Sequence, residues 1–490
     1  MSTAKKFAGQ TAVYGLTTVA GRTLNFFLTS LYTRAYAPSV YAIFGNMFAW
    51  VSMFNAFLSF GMETTYFRYL NKHTDDKQAV YNNSFGAIFI ITIIFLLATL
   101  PFVGPITDWI RIDAKTPEQD YMNYTRYFLA ILVVDAWCVI PFAKLRADGR
   151  PGRFGMLKLV NIFTFIGLNL AFIVVLPYVI KHHLSGAELL KGWFRPGWLG
   201  YVFLSNLFAS ILTLLMLLPQ LLQIRPRFNK GMLLEMLSYS WPVLIANFSF
   251  IINENLDKIL LPKLVHNSYQ LGVYSACGKI AIFLNLFVQG FRLGAEPFFF
   301  SQAQNKNATT TYAQIMNYFV LAVTMIFVAI MANIELLKYF VGPSFWSGLG
   351  VVPLLLLGYL SLGVYMNLSI WYKLSDQTKY GLYISGVGAI LTVIINLVFI
   401  PKYGYMASAW ASLIAYASMM ILSYIWGQKN YPIPYNLKKN LAYIISSIVI
   451  VFLSFSVFKR NLLIGNALLL LFAGVAFMFE RKPIMAILKK

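Results

Sequence analysis

Fourteen apolar stretches, each long enough to cross a bilayer, follow one another from Thr11 to Phe479, and almost nothing of domain size lies between them. A membrane-spanning helix takes roughly 20 predominantly apolar residues. Fourteen of them therefore use more than half of the 490 residues, which fits a chain that is 59% hydrophobic and only 11% charged. Lipid offers no partner for backbone N–H and C=O groups, so segments this long and apolar must satisfy them internally as helices. The spacing predicts an all-α polytopic membrane protein with spans at 11–33, 40–62, 81–103, 122–143, 154–180, 198–222, 238–261, 272–298, 312–334, 349–372, 381–401, 404–426, 441–458 and 463–479.

Lys and Arg in short loops set orientation, because they are retained on the cytoplasmic side. With both termini in the cytoplasm, the inner segments hold roughly twice the basic residues of the outer ones. Outer Lys181, Lys191, Arg195, Lys459 and Arg460 run against the trend. The net charge of +22 thus reads as topology and attraction to anionic headgroups, and no folded basic domain is left to bind nucleic acid. Lys5 and Lys6 precede an apolar run that resembles a signal peptide, but that run holds Arg22 and is a full span, so it is expected to be retained. Cys138 and Cys277 fall within spans and read as free, buried thiols. His182 and His183 have no third ligand at a recognisable spacing, so no metal is expected. There is no GxxxxGK[ST] loop, which argues against ATP hydrolysis, and no cofactor is expected.

The chain also repeats itself. Asn169, Leu170, Ala171, Phe172, Ile173 in span 5 match Asn396, Leu397, Val398, Phe399, Ile400 in span 11, 227 residues later. Spans 1 and 7, 3 and 9, and 4 and 10 start at nearly the same separation, and the loops at 147–154 and 374–380 echo one another. This predicts two six-helix lobes in parallel orientation, 1–225 and 226–430, followed by a two-helix hairpin and cytoplasmic tail at 431–490. Parallel repeats of this kind are a transporter plan with the substrate between the halves.

Polar residues within the spans mark candidate functional positions, since intramembrane charge is costly and usually faces a cavity or a partner. Span 1 carries a stripe of Thr11, Thr18, Arg22, Asn25, Thr29 and Thr33. Ser52, Asn55, Ser59 and Glu63 form one line in span 2, and Asn285, Gln289, Arg292 and Glu296 another in span 8. Span 7 places Asn247, Glu254 and Lys258 on one face with Asn253 and Asp257 alongside. The plainest alternatives are structural: an Arg22–Asp135 ion pair, an i, i+4 pair of Glu254 with Lys258, and snorkelling of Lys158 at the inner end of span 5. Interior cations, namely Arg22, Arg126, Lys158, Lys258, Lys279 and Arg292, slightly outnumber the acids Asp135, Glu254, Asp257, Glu63 and Glu296.

The chain resembles the polysaccharide transporter (Wzx-type flippase) branch of the multidrug, oligosaccharidyl-lipid and polysaccharide exporter superfamily. The likeness runs through the amphipathic span from Tyr14 to Arg34, Y-A-I-F-G at 41–45, R-A-D-G-R-P-G-R-F at 146–154, Gly272 to Tyr274, and N-L-V-F-I-P-K-Y-G-Y-M-A-S-A at 396–409. It implies two six-helix lobes around a central cavity and alternating access. It also implies a function: moving a polyprenyl-pyrophosphate-linked oligosaccharide from the cytoplasmic to the outer leaflet of a bacterial inner membrane, for cell-surface polysaccharide such as lipopolysaccharide. On that reading Arg22, Asn25, Asn55, Lys258, Asn285, Gln289 and Arg292 line the cavity, Arg22 and Arg292 take the pyrophosphate, and Asp135, Glu254 and Asp257 couple an ion. The expected partners are the lipid-linked saccharide, membrane lipids and polysaccharide-assembly proteins, with the terminal hairpin bordering a groove for the lipid tail. Span 2 has no arginine before Arg68, unlike what is expected of the related lipid II flippases. The rival readings are a multidrug or cation antiporter, which typically has twelve spans, and a membrane glycosyltransferase or polysaccharide polymerase, for which the outer loop at 104–121 offers acids but no recognisable motif.

Overall fold

The structure is a computed structural model that describes residues 21, 23–24, 26–225, 228–303, 305–375 and 377–488, and every regular element among them is helical. Among the described residues, eleven helices or helix runs are long and apolar enough to cross a membrane. Gly200–Met216 is a shorter apolar helix, and Lys230–Val265, at 36 residues, is long enough but more polar. The stretches from 40–62 to 463–479 all coincide with helix, whereas most of 11–33 lies outside the described residues, so the count of fourteen crossings rests on the sequence.

Two compact units are present, Met1–Gly272 and Val273–Lys490. The first begins with α1, helical over the described residues 26–35. It continues with α2 (Pro38–Ser59), α3 (Met62–Lys72), α4 (Lys77–Thr99), α5 (Val103–Ile110), α6 (Glu118–Ala147) and α7 (Pro151–Leu170). After these come α8 (Leu176–Lys181), α9 (Ala187–Lys191), α10 (Gly200–Met216), α11 (Leu218–Leu221) and α12 (Lys230–Val265). Helix α12 packs on α2, α3 and α4, and α10 packs on α6 and α7.

The second predicted span is broken rather than continuous. Phe60 and Gly61 both have positive φ, 47° and 66°, which ends α2 in a left-handed cap and restarts the chain as α3. Glycine is required at 61 on two counts: its φ disfavours a side chain, and a Cβ there would sit 3.1 Å from the Ser240 carbonyl oxygen and from Val243 Cβ on α12. Beyond the break, Thr65 and Ser240 share a 2.6 Å hydrogen bond and the Arg68 guanidinium lies 4.1 Å from the centre of the Tyr239 ring, so α3 is fastened to α12. The helix starts follow local chemistry: the Asp76 carboxylate accepts from Ala79 N–H at 3.0 Å, and the Asn229 side chain accepts from Met232 N–H at 3.1 Å.

At the start of the next helix, Gly272 has no room for a Cβ, which would fall 1.9 Å from the Pro38 carbonyl oxygen. That close approach gives a physical reason for the glycine in the Gly272 to Tyr274 signature. From the loop that follows α9, Arg195 makes a two-pronged contact with Asp120 in the first turn of α6 at 2.7 and 2.8 Å, with the acid nearly buried.

The second unit is built from α13 (Ser268–Gln302, whose first turn belongs to the first unit), α14 (Ala308–Ala332), α15 (Ile334–Leu337), α16 (Val352–Leu368), α17 (Ile370–Leu374), α18 (Lys379–Tyr403), α19 (Tyr405–Asn430), α20 (Leu437–Phe452) and α21 (Leu462–Leu488). Helix α19 packs on α16 and α18, and α14 carries the terminal hairpin of α20 and α21. Asn333 and Asn466 exchange reciprocal amide hydrogen bonds of 3.1 and 3.2 Å. Gly465 sits so close to Ala332 that an added Cβ would lie 2.9 Å from its carbonyl oxygen, and Arg460 reaches Glu335 at 3.3 Å. Small residues and paired amides are what holds helices together where the solvent is lipid.

The repeated N-L-x-F-I string has the same local geometry in both units. Asn169 and Asn396 are fully buried, and each donates to the carbonyl four residues earlier, Phe165 or Thr392, at 2.7 Å. Each also accepts from a hydroxyl of another helix, Tyr32 at 2.8 Å for Asn169 and Ser408 at 2.9 Å for Asn396. The repeats diverge just afterwards: α7 gives way to a π-helical turn at Ala171–Val175 ahead of Pro177, while α18 runs on through Pro401. A proline lacks the N–H and crowds the carbonyl four residues back, and a π turn is one way to accommodate it.

Candidate functional site

The Met1–Gly272 unit contains a cavity of about 860 Å³, within the size range of ligand cavities, walled by α2, α3, α6, α7, α10 and α12. Its wall is unusually polar for a membrane-spanning body. Ser52, Asn55 and Ser59 come from α2, and Glu63 and Thr64 from α3. Asp135 and Arg146 come from α6, Lys158 and Asn161 from α7, Asn206, Ser210 and Thr213 from α10, and Asn247, Glu254 and Asn255 from α12.

The charges in that wall are not all alike. Glu63 and Arg146 form an ion pair with each other. Asp135 accepts a 2.7 Å hydrogen bond from Ser210 and forms no ion pair among the described residues. Lys158 lines the same cavity as Asp135, and its ammonium sits 4.2 Å from the centre of the Phe142 ring. Glu254 is exposed to the cavity. Among the amides, Asn161 donates to Thr213 at 2.9 Å, and Thr213 in turn donates to the Ala209 carbonyl at 2.8 Å.

Of the residues expected from sequence, Asn55, Asp135 and Glu254 are brought to this one cavity. Arg22 and Asn25 lie outside the described residues, as does any Arg22–Asp135 pair; the neighbouring Gly21 lines the cavity. Lys258 and Asp257 do not line it. Lys258 binds the adjacent Asp257 carboxylate at 3.0 Å and donates to the Glu254 backbone carbonyl, so the expected i, i+4 side-chain pair with Glu254 does not form. The reason is that Asp257 is buried and its oxygen already caps the Lys258 N–H at 2.8 Å, a nearer and better-shielded partner than exposed Glu254. Lys158, read from the sequence as snorkelling, lines the cavity. The line from Ser52 to Glu63 does reach the cavity, but across the break at Phe60 and Gly61 and not along one helix.

Sequence reasoning missed Asn206, Ser210 and Thr213, whose i, i+4, i+7 spacing is a polar stripe on an otherwise apolar helix, and Asn161, one turn beyond Lys158.

In the Val273–Lys490 unit, Arg292 and Glu296 line a pocket of only about 20 Å³ together with Asn367, Ser369 and Lys373. Glu296 is held from two sides, by Lys373 at 2.6 Å and Arg292 at 3.5 Å. One turn earlier on α13, Asn285 and Gln289 are in contact at 3.5 Å. The same unit has an apolar groove of about 630 Å³ between α20 and α21, lined by Tyr443, Ile450, Leu471, Phe472, Val475 and Phe479 with Lys439 at one end. There the buried Glu480 carboxylate accepts from the Tyr443 hydroxyl at 2.7 Å and from Lys439 at 2.5 Å.

Comparison with known proteins adds to this geometry. Residues 200–347 match the family model described as "Polysaccharide biosynthesis protein". No curated protein sequence matches the chain. Among solved structures, the lipid II flippase MurJ in an inward closed conformation aligns over 96% of this chain and 100% of its own, with a TM-score of 0.72 at 13% identity. The inward-facing form of a multidrug resistance MATE family transporter of the MOP superfamily aligns over 86% of this chain and 95% of its own, with a TM-score of 0.63 at 15% identity. An outward-facing conformation of such a transporter gives 0.59 at 12%, over 89% and 96%. The fold is the one these transporters share, and with the family model it bears out the resemblance to the polysaccharide transporter branch.

Proposed function

We propose that this chain, which has the fold of the multidrug, oligosaccharidyl-lipid and polysaccharide exporter superfamily, is a flippase. Its cargo on this reading is a polyprenyl-pyrophosphate-linked oligosaccharide, carried from the cytoplasmic to the outer leaflet of a bacterial inner membrane with both chain termini in the cytoplasm. The observation that carries the proposal is the cavity of about 860 Å³, lined by amides, hydroxyls and three charges outside mutual ion pairs, in a chain otherwise built for lipid. A saccharide and a pyrophosphate cannot enter hydrocarbon unaided, because unpaired charges and unsatisfied polar groups there are expensive. A wet cavity supplies the missing partners while the lipid tail stays outside.

The two lobes at 1–225 and 226–430, with the 431–490 hairpin appended, would open the cavity alternately to each side. Arg22 and Arg292 would bind the pyrophosphate, to which the guanidinium fork is matched, and the apolar groove between α20 and α21 would hold the tail. Asp135 and Glu254 line the cavity and are the acids best placed to couple a proton or sodium ion to the cycle, with Asp257 behind them in its pair with Lys258. Asn55 belongs to the substrate wall, and Asn285 and Gln289 extend the Arg292 line along α13. Proteins that assemble the polysaccharide on the outer side are the expected partners, and no catalytic step is assigned to this chain.

A drug or cation antiporter is the second reading, favoured by the same two cavity acids. One experiment separates them: deplete the protein in its native cell and quantify lipid-linked saccharides on the cytoplasmic leaflet by mass spectrometry. Accumulation relieved by the wild-type gene but not by Asp135→Ala or Arg292→Ala supports the flippase. An unchanged lipid pool with new sensitivity to cationic drugs rejects it in favour of the antiporter.

A further inference from the structure

The cavity of the Met1–Gly272 unit holds more hydrogen-bonding capacity than the protein uses. The side chains of Asn55, Asn206 and Asn247, on α2, α10 and α12, line it with no hydrogen-bond partner among the described residues. Each carboxamide offers two donors and an acceptor oxygen, so three helices present both polarities to the same space. A sugar hydroxyl, itself donor and acceptor, matches such a wall. A phosphate offers only acceptors and uses half of it.

Charge in the wall points the same way. With Glu63 and Arg146 neutralising one another, the remaining charged side chains among the described residues are Asp135, Glu254 and Lys158, two acids and one base. A carboxylate on the cargo brings only acceptor oxygens to Glu254 and to the Asp135 oxygen that Ser210 does not occupy, whereas a sugar hydroxyl can donate to either.

We infer that this cavity is the saccharide subsite, built for an uncharged sugar bearing hydroxyl or acetamido groups, and that Asn206 and Asn247 select it while Asp135 turns away uronic acids. The inference rests on the flippase reading and gives it a location and a specificity. It separates the two parts of the cargo, with the sugar on the amides of α2, α10 and α12 and the pyrophosphate on the arginines.

The test uses the purified full chain in lipid nanodiscs and three probes: farnesyl pyrophosphate, its N-acetylglucosamine ester and its glucuronic acid ester, with binding followed by native mass spectrometry. The N-acetylglucosamine probe should bind about tenfold or more tighter than farnesyl pyrophosphate, the yield of two or three added hydrogen bonds. The glucuronate probe should bind no tighter than farnesyl pyrophosphate. In the double variant Asn206→Ala/Asn247→Ala the advantage of the neutral sugar should vanish with farnesyl pyrophosphate binding unchanged, and Asp135→Asn should raise affinity for the glucuronate probe.

Equal binding of sugar-bearing and sugarless probes by the wild type, or tightest binding of glucuronate, overturns the inference and leaves the flippase reading standing. Failure of all three probes to bind removes the pyrophosphate-linked cargo and the inference with it. The comparison among probes is made on the wild-type chain, so it does not depend on any variant folding.

Discussion

The two units handle buried polarity in opposite ways. Around Arg292 every charge is answered: Glu296 sits between Lys373 and Arg292, and what is left is a pocket of about 20 Å³. Around Asp135 the helices stand apart, amides such as Asn206 and Asn247 face open space, and the void is about 860 Å³. Ion pairs drawn close let a site shut, because each charge offsets part of the solvation that the other has lost. Polar groups left without partners hold a site open to water or a solute, because collapsing on them would strand them. Polar residues in membrane helices therefore mark function most clearly where the fold leaves them unpaired.

The contrast can be broken most forcefully by adding bulk. Asn206→Trp fills the open cavity, so transport in the depletion assay should fall to the level of the empty vector. Thermal stability in detergent should change by less than about 1 kcal/mol, since the space exists already. The same assay on Gly363→Leu should show the reverse pattern, with stability lost first. A Cβ at Gly363 already lies 2.8 Å from Phe319 Cζ and from Val288 Cγ2, and overpacking of this kind costs about 1–3 kcal/mol.

Charge removal sharpens the comparison at a smaller scale. Lys373→Met leaves Glu296 with Arg292 alone and should cost about 1 kcal/mol, the upper part of the range for partly exposed pairs. Lys158→Met breaks no ion pair among the described residues and should leave the melting temperature nearly unchanged while lowering transport. Equal destabilisation by the two would show that the open cavity is as paired as the closed pocket. Smallest of all is the effect expected from Asn466→Leu, which removes the reciprocal amide contact with Asn333. About 0.6 kcal/mol is typical for such contacts in membranes, and a thermal melt with hairpin-specific fluorescence would read it.

Much of this protein was legible in the sequence because lipid is a strict solvent. The places of the helices follow from hydropathy alone, and the repeat around Asn169 and Asn396 announced a geometry that both units share, since a buried amide in a membrane helix must find both a donor and an acceptor. Candidate acids at Asp135 and Glu254 were visible for the same reason: a carboxylate in an apolar run stands out.

What the sequence did not contain was partnership. Glu254 and Lys258, one turn apart, suggested a pair, but burial of Asp257 diverted the lysine. Lys158 stood near the end of its span, and the neighbouring helices that give it a cavity could not be read there. Ser52 and Glu63 suggested one helix face, yet the positive φ of Phe60 and Gly61 let two helices share that line. Helical periodicity is a local property set by 3.6 residues per turn, and one chain segment suffices to read it. Whether a polar side chain ends in an ion pair or faces a void depends on helices far away in the chain, as the hydrogen bond from Ser210 to Asp135, 75 residues earlier, shows, and only their packing decides it.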